Sequence, residues 1–152
     1  MRKQWQPEAV VFVGLQASGK STFYLQRFFK THMRINLDML KTRHRETLLL
    51  HTCIEMKQHF VVDNTNVVAA ERAKYIAPAN NAGFRLIGYF FQPDITGCLA
   101  RNNQRTGRER IPIKGIFGAA KRLQPPTFGE GFDELYHVEI SPDRAFVVKA
   151  MR

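Results

Sequence analysis

The feature that most constrains the fold is a fully apolar strand pattern that runs straight into a glycine loop. Ala9-Val10-Val11-Phe12-Val13 is apolar at every position. A strand apolar on both faces belongs inside a parallel sheet flanked by helices. It leads at once into Gly14-Leu15-Gln16-Ala17-Ser18-Gly19-Lys20-Ser21, which fits G-x-x-x-x-G-K-[ST], and from Lys20 the pattern turns helical. Strand, loop and helix in this order make a phosphate cradle. The glycines let the backbone curl close to an anion, successive N–H groups point inward at it, and the helix N-terminus adds its dipole. Nucleotide contacts are therefore expected at Gly14, Gln16, Ala17, Ser18, Gly19, Lys20, Ser21 and Thr22. Lys20 is expected to reach the β- and γ-phosphates of ATP, and the Ser21 hydroxyl to ligate Mg²⁺. The plain alternative is a glycine-rich strand-to-helix turn with no ligand.

The rest of the chain alternates in the same way. Phe23, Phe28 and Phe29 are expected to share a helix face with Tyr24. Residues 33–37 read as a short extended stretch and 38–59 as helix. Phe60-Val61-Val62 is a second buried strand, ending at Asp63. Residues 69–82 read as a helix stopped by Gly83, and 85–91 as a strand. Asp94 is placed to cap a helix running to about Arg105, and Pro112 to open another to about Leu123. Residues 124–131, with two prolines and two glycines, read as a loop, and 136–140 and 145–148 as short strands. Strands alternating with helices predict a three-layer α/β fold with a mostly parallel sheet, and the G-x-x-x-x-G-K-[ST] loop after the first strand makes the expected fold that of a P-loop NTPase or kinase. With 152 residues and no linker or repeat, a single domain over 1–152 is expected.

Composition narrows the function classes. Hydrophobic residues make up 44% and charged residues 24%, which excludes a disordered or low-complexity chain as the main reading. Met1 to Pro7 is polar and lacks an apolar leader core, no run reaches membrane-span length, and Cys53 and Cys98 lack metal or disulfide spacing. A reducing cytoplasm is the expected location. Lys and Arg total 23 against 13 Asp and Glu, a net charge of +10. A domain this basic is expected to meet an anion such as nucleic acid or nucleotide, with plain solubility as the alternative.

Three further segments bear on the reaction. Asp38 follows a short strand in Ile35-Asn36-Leu37-Asp38, where a carboxylate can accept a proton from an attacking hydroxyl or simply cap a helix. Asp63 ends a buried strand in Val62-Asp63-Asn64-Thr65-Asn66, where it can hold Mg²⁺ or form a turn. In Arg101–Arg110, Arg101, Arg105 and Arg108 are spaced to share a helical face, either stabilising a transferring phosphoryl group or forming a solvated basic face. Trp5, Phe117 and Phe128 are candidate base-stacking aromatics, with core or loop packing as the alternative role.

From about Glu8 to Ile140 the chain resembles the 5′-hydroxyl polynucleotide kinases, most nearly the kinase domain of the polynucleotide kinase/phosphatase proteins. The resemblance rests on GLQASGKSTF, INLD, VVDNTN followed by AAERAKYIAPANNAGF, ARNNQR and PPTFGEGF, in family-like order and spacing. It implies that Asp38 is the general base for a 5′-OH and that Lys20 and Ser21 contact phosphate and Mg²⁺. It further implies that Asp63 is the acid of the Walker-B-like strand and that Arg101 and Arg105 are lid arginines, Arg105 on the nucleotide phosphates. Lys41 stands where the phage enzyme binds the acceptor's phosphate with an arginine, and Thr65 joins Asp38, Lys41 and Asp63 as an expected acceptor contact. The family pattern Asn-Arg-Asp is Asn36-Leu37-Asp38 here, and no phosphatase D-x-D-G-[TV] signature occurs. The expected partners are ATP, Mg²⁺ and the 5′-OH ends of DNA or RNA. Two alternatives remain open: a P-loop kinase for a nucleoside, sugar or antibiotic, and a non-catalytic nucleotide-gated nucleic-acid binder.

Overall fold

The computed structural model describes residues 4–152. Met1–Lys3, part of the polar segment read above, lie outside the described residues. Six strands form one sheet in the order β2-β3-β1-β4-β5-β6. They are β1 Glu8–Val13, β2 Met33–Ile35, β3 Phe60–Val62, β4 Arg85–Phe91, β5 Glu134–Ile140 and β6 Phe146–Ala150. All pairs are parallel except β5 with β6. The mostly parallel α/β architecture expected from the sequence is the one observed.

The helices are α1 Lys20–Arg27, α2 Leu37–Leu40, α3 Arg43–Met56, α4 Ala69–Asn81, α5 Ile95–Asn103 and α6 Ile113–Arg122. Strand alternation sorts the core into two faces. Ala9 and Val11 of β1 pack with Ile35, Phe60 and Val62 against Leu50 and Cys53 of α3 and Tyr75 and Ile76 of α4. Val10 and Phe12 point the other way, to Phe23 and Tyr24 of α1 and Phe91. A third cluster, Leu15, Val67, Cys98, Ile116 and Ala119, seats α5 and α6 beside the glycine loop. None of the helices among the described residues is long and apolar enough to cross a membrane.

The register positions the site. Val11 lies beside Val62, and Val62 beside Ile35. The residues just after these strands therefore emerge at one end of the sheet. The order reverses at β1, which pairs with β3 on one side and β4 on the other, and crevices for ligands form at such switch points.

Three local expectations are corrected. The helix expected over 38–59 is two helices, because Lys41 takes a left-handed φ of 75° and each piece has its own cap. Asn36 accepts from Met39 N–H at 2.9 Å, and Thr42 accepts from Arg45 N–H at 3.1 Å. Phe29 does not share the face of Phe23 and Phe28, since α1 ends at Arg27 and Phe29 is exposed. The arginines do not share one helical face either. Helix α5 stops at Asn103, because the Asn102 amide bonds Ile111 twice, at 2.7 and 2.8 Å, and draws the chain back.

Candidate nucleotide and phosphoryl-transfer site

The loop between β1 and α1 curls through two left-handed residues, Ala17 at φ 60° and Gly19 at φ 95°. Gly14 N–H donates to Thr65 O at 2.9 Å, which ties this loop to the segment after β3. A Cβ on Gly14 would sit 2.9 Å from both Phe91 Cβ and Ser18 Oγ, so the close approach requires glycine. Lys20 donates to the carbonyls of Gly14 at 3.0 Å and Leu15 at 2.6 Å. Burial pulls its ammonium down to about 8, with Asp63 opposing. Gln16 Oε1 is buried without a hydrogen-bond partner among the described residues, the mark of a site completed by a ligand or its water.

A cavity of about 340 Å³ opens over this loop. Gln16 through Thr22, Asp38, Asp63, Thr65 and Arg105 all line it. Gly14 does not, and acts through the backbone bond above. Arg101 is also off this wall: its Nε donates to Ala17 O at 2.5 Å and it lines a neighbouring cavity of about 470 Å³ with Ser18, Asp94 and Glu139. Lys41 is exposed and lines neither cavity. Trp5 packs on His59, before β3 and so at the opposite end of the sheet, 5.7 Å between rings, and Phe117 and Phe128 remain partly exposed.

Asp38 reaches the cavity because α2 is set by Asn36. The Asn36 amide donates to Asp63 O at 2.6 Å, and Leu37 N–H donates to Asn64 Oδ1 at 2.9 Å. Asn36 is thus the helix cap, and the carboxylate of Asp38 is not used for that purpose. On the sheet side, Ser21 Oγ donates to Asp63 Oδ2 at 3.0 Å. A hydroxyl and a carboxylate at this separation are hard oxygen donors suited to Mg²⁺, a good chemical fit to that ion.

Several cavity residues escaped the sequence reading. Arg43, Asn64, Glu71, Lys74 and Tyr75 also line the cavity. Arg43, Asn64 and Tyr75 belong to a buried network around Glu46, whose carboxylate accepts from Arg43 at 2.9 Å, Tyr75 at 2.9 Å and Asn64 at 3.0 Å. Burial, and then Glu46, push the Tyr75 hydroxyl up to about 12, so it stays protonated and donates. Arg34 of β2 donates to Asp63 Oδ2 at 2.9 Å and to Ser21 Oγ at 3.0 Å. Its signal was a charged residue inside a short strand. Arg43 and Lys74 carry no such signal, since charged helix residues normally read as solvated.

A family model described as an AAA domain (AAA_33) matches residues 10–125. The chain belongs to this AAA domain family. The match covers the glycine loop, both acids and the arginine segment. This AAA domain is 27% identical over 143 residues to the bifunctional polynucleotide phosphatase/kinase of Schizosaccharomyces pombe. That alignment covers 90% of this chain and 35% of the relative, so the chain spans about a third of that protein's length. Among solved structures it is similar to Kti12 of Chaetomium thermophilum, in complex with ADP-AlF3, with a TM-score of 0.66 at 14% identity, covering 90% of this chain and 92% of that one. It is also similar to a gluconokinase of Sinorhizobium meliloti, with a TM-score of 0.61 at 17% identity, covering 91% and 85%. The AAA domain thus has the P-loop kinase fold.

Proposed function

We propose that this domain transfers the γ-phosphoryl group of ATP to the 5′-hydroxyl end of a DNA or RNA strand. The observation that carries the reading is Asp38, relieved of capping by Asn36 and lining the same cavity as Lys20, Ser21 and Asp63. The triphosphate lies on the N–H groups of the glycine loop, with Lys20 turning from the loop carbonyls to the β- and γ-oxygens. Ser21 and Asp63 hold Mg²⁺, which when bound neutralises charge on the phosphates. Asp38 orients the acceptor hydroxyl and takes its proton as the O–P bond forms and the bond to ADP breaks. Arg105 supplies positive charge to the transferring group.

The polynucleotide acceptor is supported by the INLD, VVDNTN and ARNNQR phrases, by the kinase half of the fission yeast relative's name, and by the net charge of +10. Arg43, paired with Glu46, and Lys74 line the same cavity as Asp38, together with the acidic Glu71. A second reading, a small-molecule acceptor, is favoured by Leu37, which lines the cavity where the resembled family has arginine. The test is transfer of labelled γ-phosphate to single-stranded 5′-OH DNA and RNA, beside a panel of nucleosides and sugars. Labelling of oligonucleotides supports the first reading; labelling confined to small molecules replaces it with the second.

A further inference from the structure

Arg34 is a cation fixed beside the oxygens that, in the reading above, hold another cation. Its Nε donates to Asp63 Oδ2 at 2.9 Å, one terminal nitrogen donates to Ser21 Oγ at 3.0 Å, and Ser21 Oγ donates to the same Oδ2 at 3.0 Å. The three groups close a ring. The Asp63 side chain is 2% exposed and that of Arg34 26%. The guanidinium carbon also lies 5.9 Å from the centre of the Tyr24 ring on α1. Strand alternation explains the reach: Ile35 enters the core with α3 and α4, so its neighbour Arg34 turns to the α1 side.

A carboxylate this buried needs a compensating charge. Lys20 is engaged with the loop carbonyls, so the direct ionic partner of Asp63 is Arg34. This arrangement discriminates between two forms of the same metal. A free divalent cation meets a carboxylate already neutralised, with a guanidinium beside it that repels the ion. A metal–ATP complex carries net negative charge, and the same guanidinium attracts it. Both Arg34 and Ser21 bond to Oδ2, which leaves Oδ1 as the carboxylate oxygen available to the cavity.

We propose that Arg34 makes the Ser21–Asp63 pair a receptor for the metal–nucleotide complex rather than for free metal, and that it holds the two oxygens in register for that complex. This rests on the assignment of Ser21 and Asp63 to Mg²⁺. Arg34 is a positioning residue here, acting through Asp63 and Ser21.

The test uses Mn²⁺ as the probe, with the free ion followed by electron paramagnetic resonance. Wild type, Arg34→Gln and Arg34→Lys are titrated with Mn²⁺ alone and then with a non-hydrolysable ATP analogue present. The wild type is expected to take up Mn²⁺ only with the nucleotide. Arg34→Gln is expected to bind Mn²⁺ alone at least about tenfold more tightly, the effect of removing one nearby charge at intermediate dielectric. Arg34→Lys, which keeps the charge, is expected to follow the wild type. Equal affinity of wild type and Arg34→Gln for Mn²⁺ alone overturns the proposal. So does tight binding of Mn²⁺ alone by the wild type, a measurement that stands even if Arg34→Gln fails to fold. A wild-type nucleotide complex that holds no Mn²⁺ has a separate meaning: it overturns the Mg²⁺ assignment on which the proposal rests.

Discussion

Asn36 and Asp63 are joined by a 2.6 Å hydrogen bond from the Asn36 amide to the Asp63 carbonyl, across 27 residues of sequence. The same Asn36 side chain caps the short helix that bears Asp38. One residue thus couples the position of the proposed base to the strand end that bears the proposed metal ligand.

This coupling separates two variants. Asp38→Asn preserves size and hydrogen bonding but removes the basic charge. Phosphoryl transfer to the acceptor is expected to fall about 100- to 10,000-fold, with ATP affinity and melting temperature nearly unchanged. Asn36→Ala is expected to lower stability by about 1 kcal/mol through the lost cap, and turnover as well. Near wild-type turnover of Asp38→Asn in the labelled-phosphate assay removes it from the chemistry.

Lys20 predicts a proton linkage. Its ammonium is pulled down to about 8 in the free protein by burial, and triphosphate oxygens favour the charged form. The bound value therefore lies above the free one. Binding of ATP takes up a proton in the window above about 8, and affinity falls as pH rises through it. Calorimetry at about pH 9 in buffers of different ionisation enthalpy measures that uptake. Lys20→Met is expected to abolish both the uptake and most of the turnover while remaining folded. Uptake unchanged in Lys20→Met assigns the proton to another group.

The arginine segment divides by position. Arg105 lines the main cavity, whereas Arg108 is exposed in the short 3-10 turn Gly107–Glu109. Arg105→Ala is expected to lower kcat by about 100- to 1,000-fold, the scale of one lost electrostatic contact to a transferring group. Arg108→Ala is expected to stay within about twofold, the range of an exposed charge. Equal and negligible effects reduce the segment to a solvated basic face.

Arg72 and Glu130 carry a stability prediction. The fully buried guanidinium of Arg72 pairs with both carboxylate oxygens of Glu130, at 2.7 and 3.0 Å, and donates to Asn66 O at 2.8 Å. Glu130→Ala leaves that cation buried without its partner and is expected to cost about 3 kcal/mol in urea unfolding. Burial alone would raise the Glu130 carboxyl, but the Arg72 and Thr127 hydrogen bonds outweigh it and hold it below its ordinary 4.5. A lowered carboxyl contributes stability above its unfolded value and loses it as pH falls through the folded one. Wild type is therefore expected to lose stability below about pH 4.5 more steeply than Glu130→Ala. Parallel acid-unfolding curves would place the acid sensitivity elsewhere.

The sequence by itself determined what contiguous residues encode. The apolar runs of β1, β3 and β4 named the buried strands, and the G-x-x-x-x-G-K-[ST] spacing named the loop, because backbone curvature and N–H direction are local properties. The ends of β3 and of the short extended stretch before Asp38 marked Asp63 and Asp38, since a parallel sheet delivers its strand ends to one side. Only the tertiary structure decided which charged side chains meet there. Ser21 and Asp63 are 42 residues apart, and Arg34 and Asp63 29 apart. Their contact follows from the order β2-β3-β1, which no local pattern prescribes. Arg43 lines the cavity and Lys41 does not, because two caps split one expected helix into α2 and α3 and left Lys41 between them at a left-handed φ. The identity of a helix former is legible residue by residue, but the direction in which a charged side chain points depends on where its helix is cut and on the neighbours the sheet assigns to it.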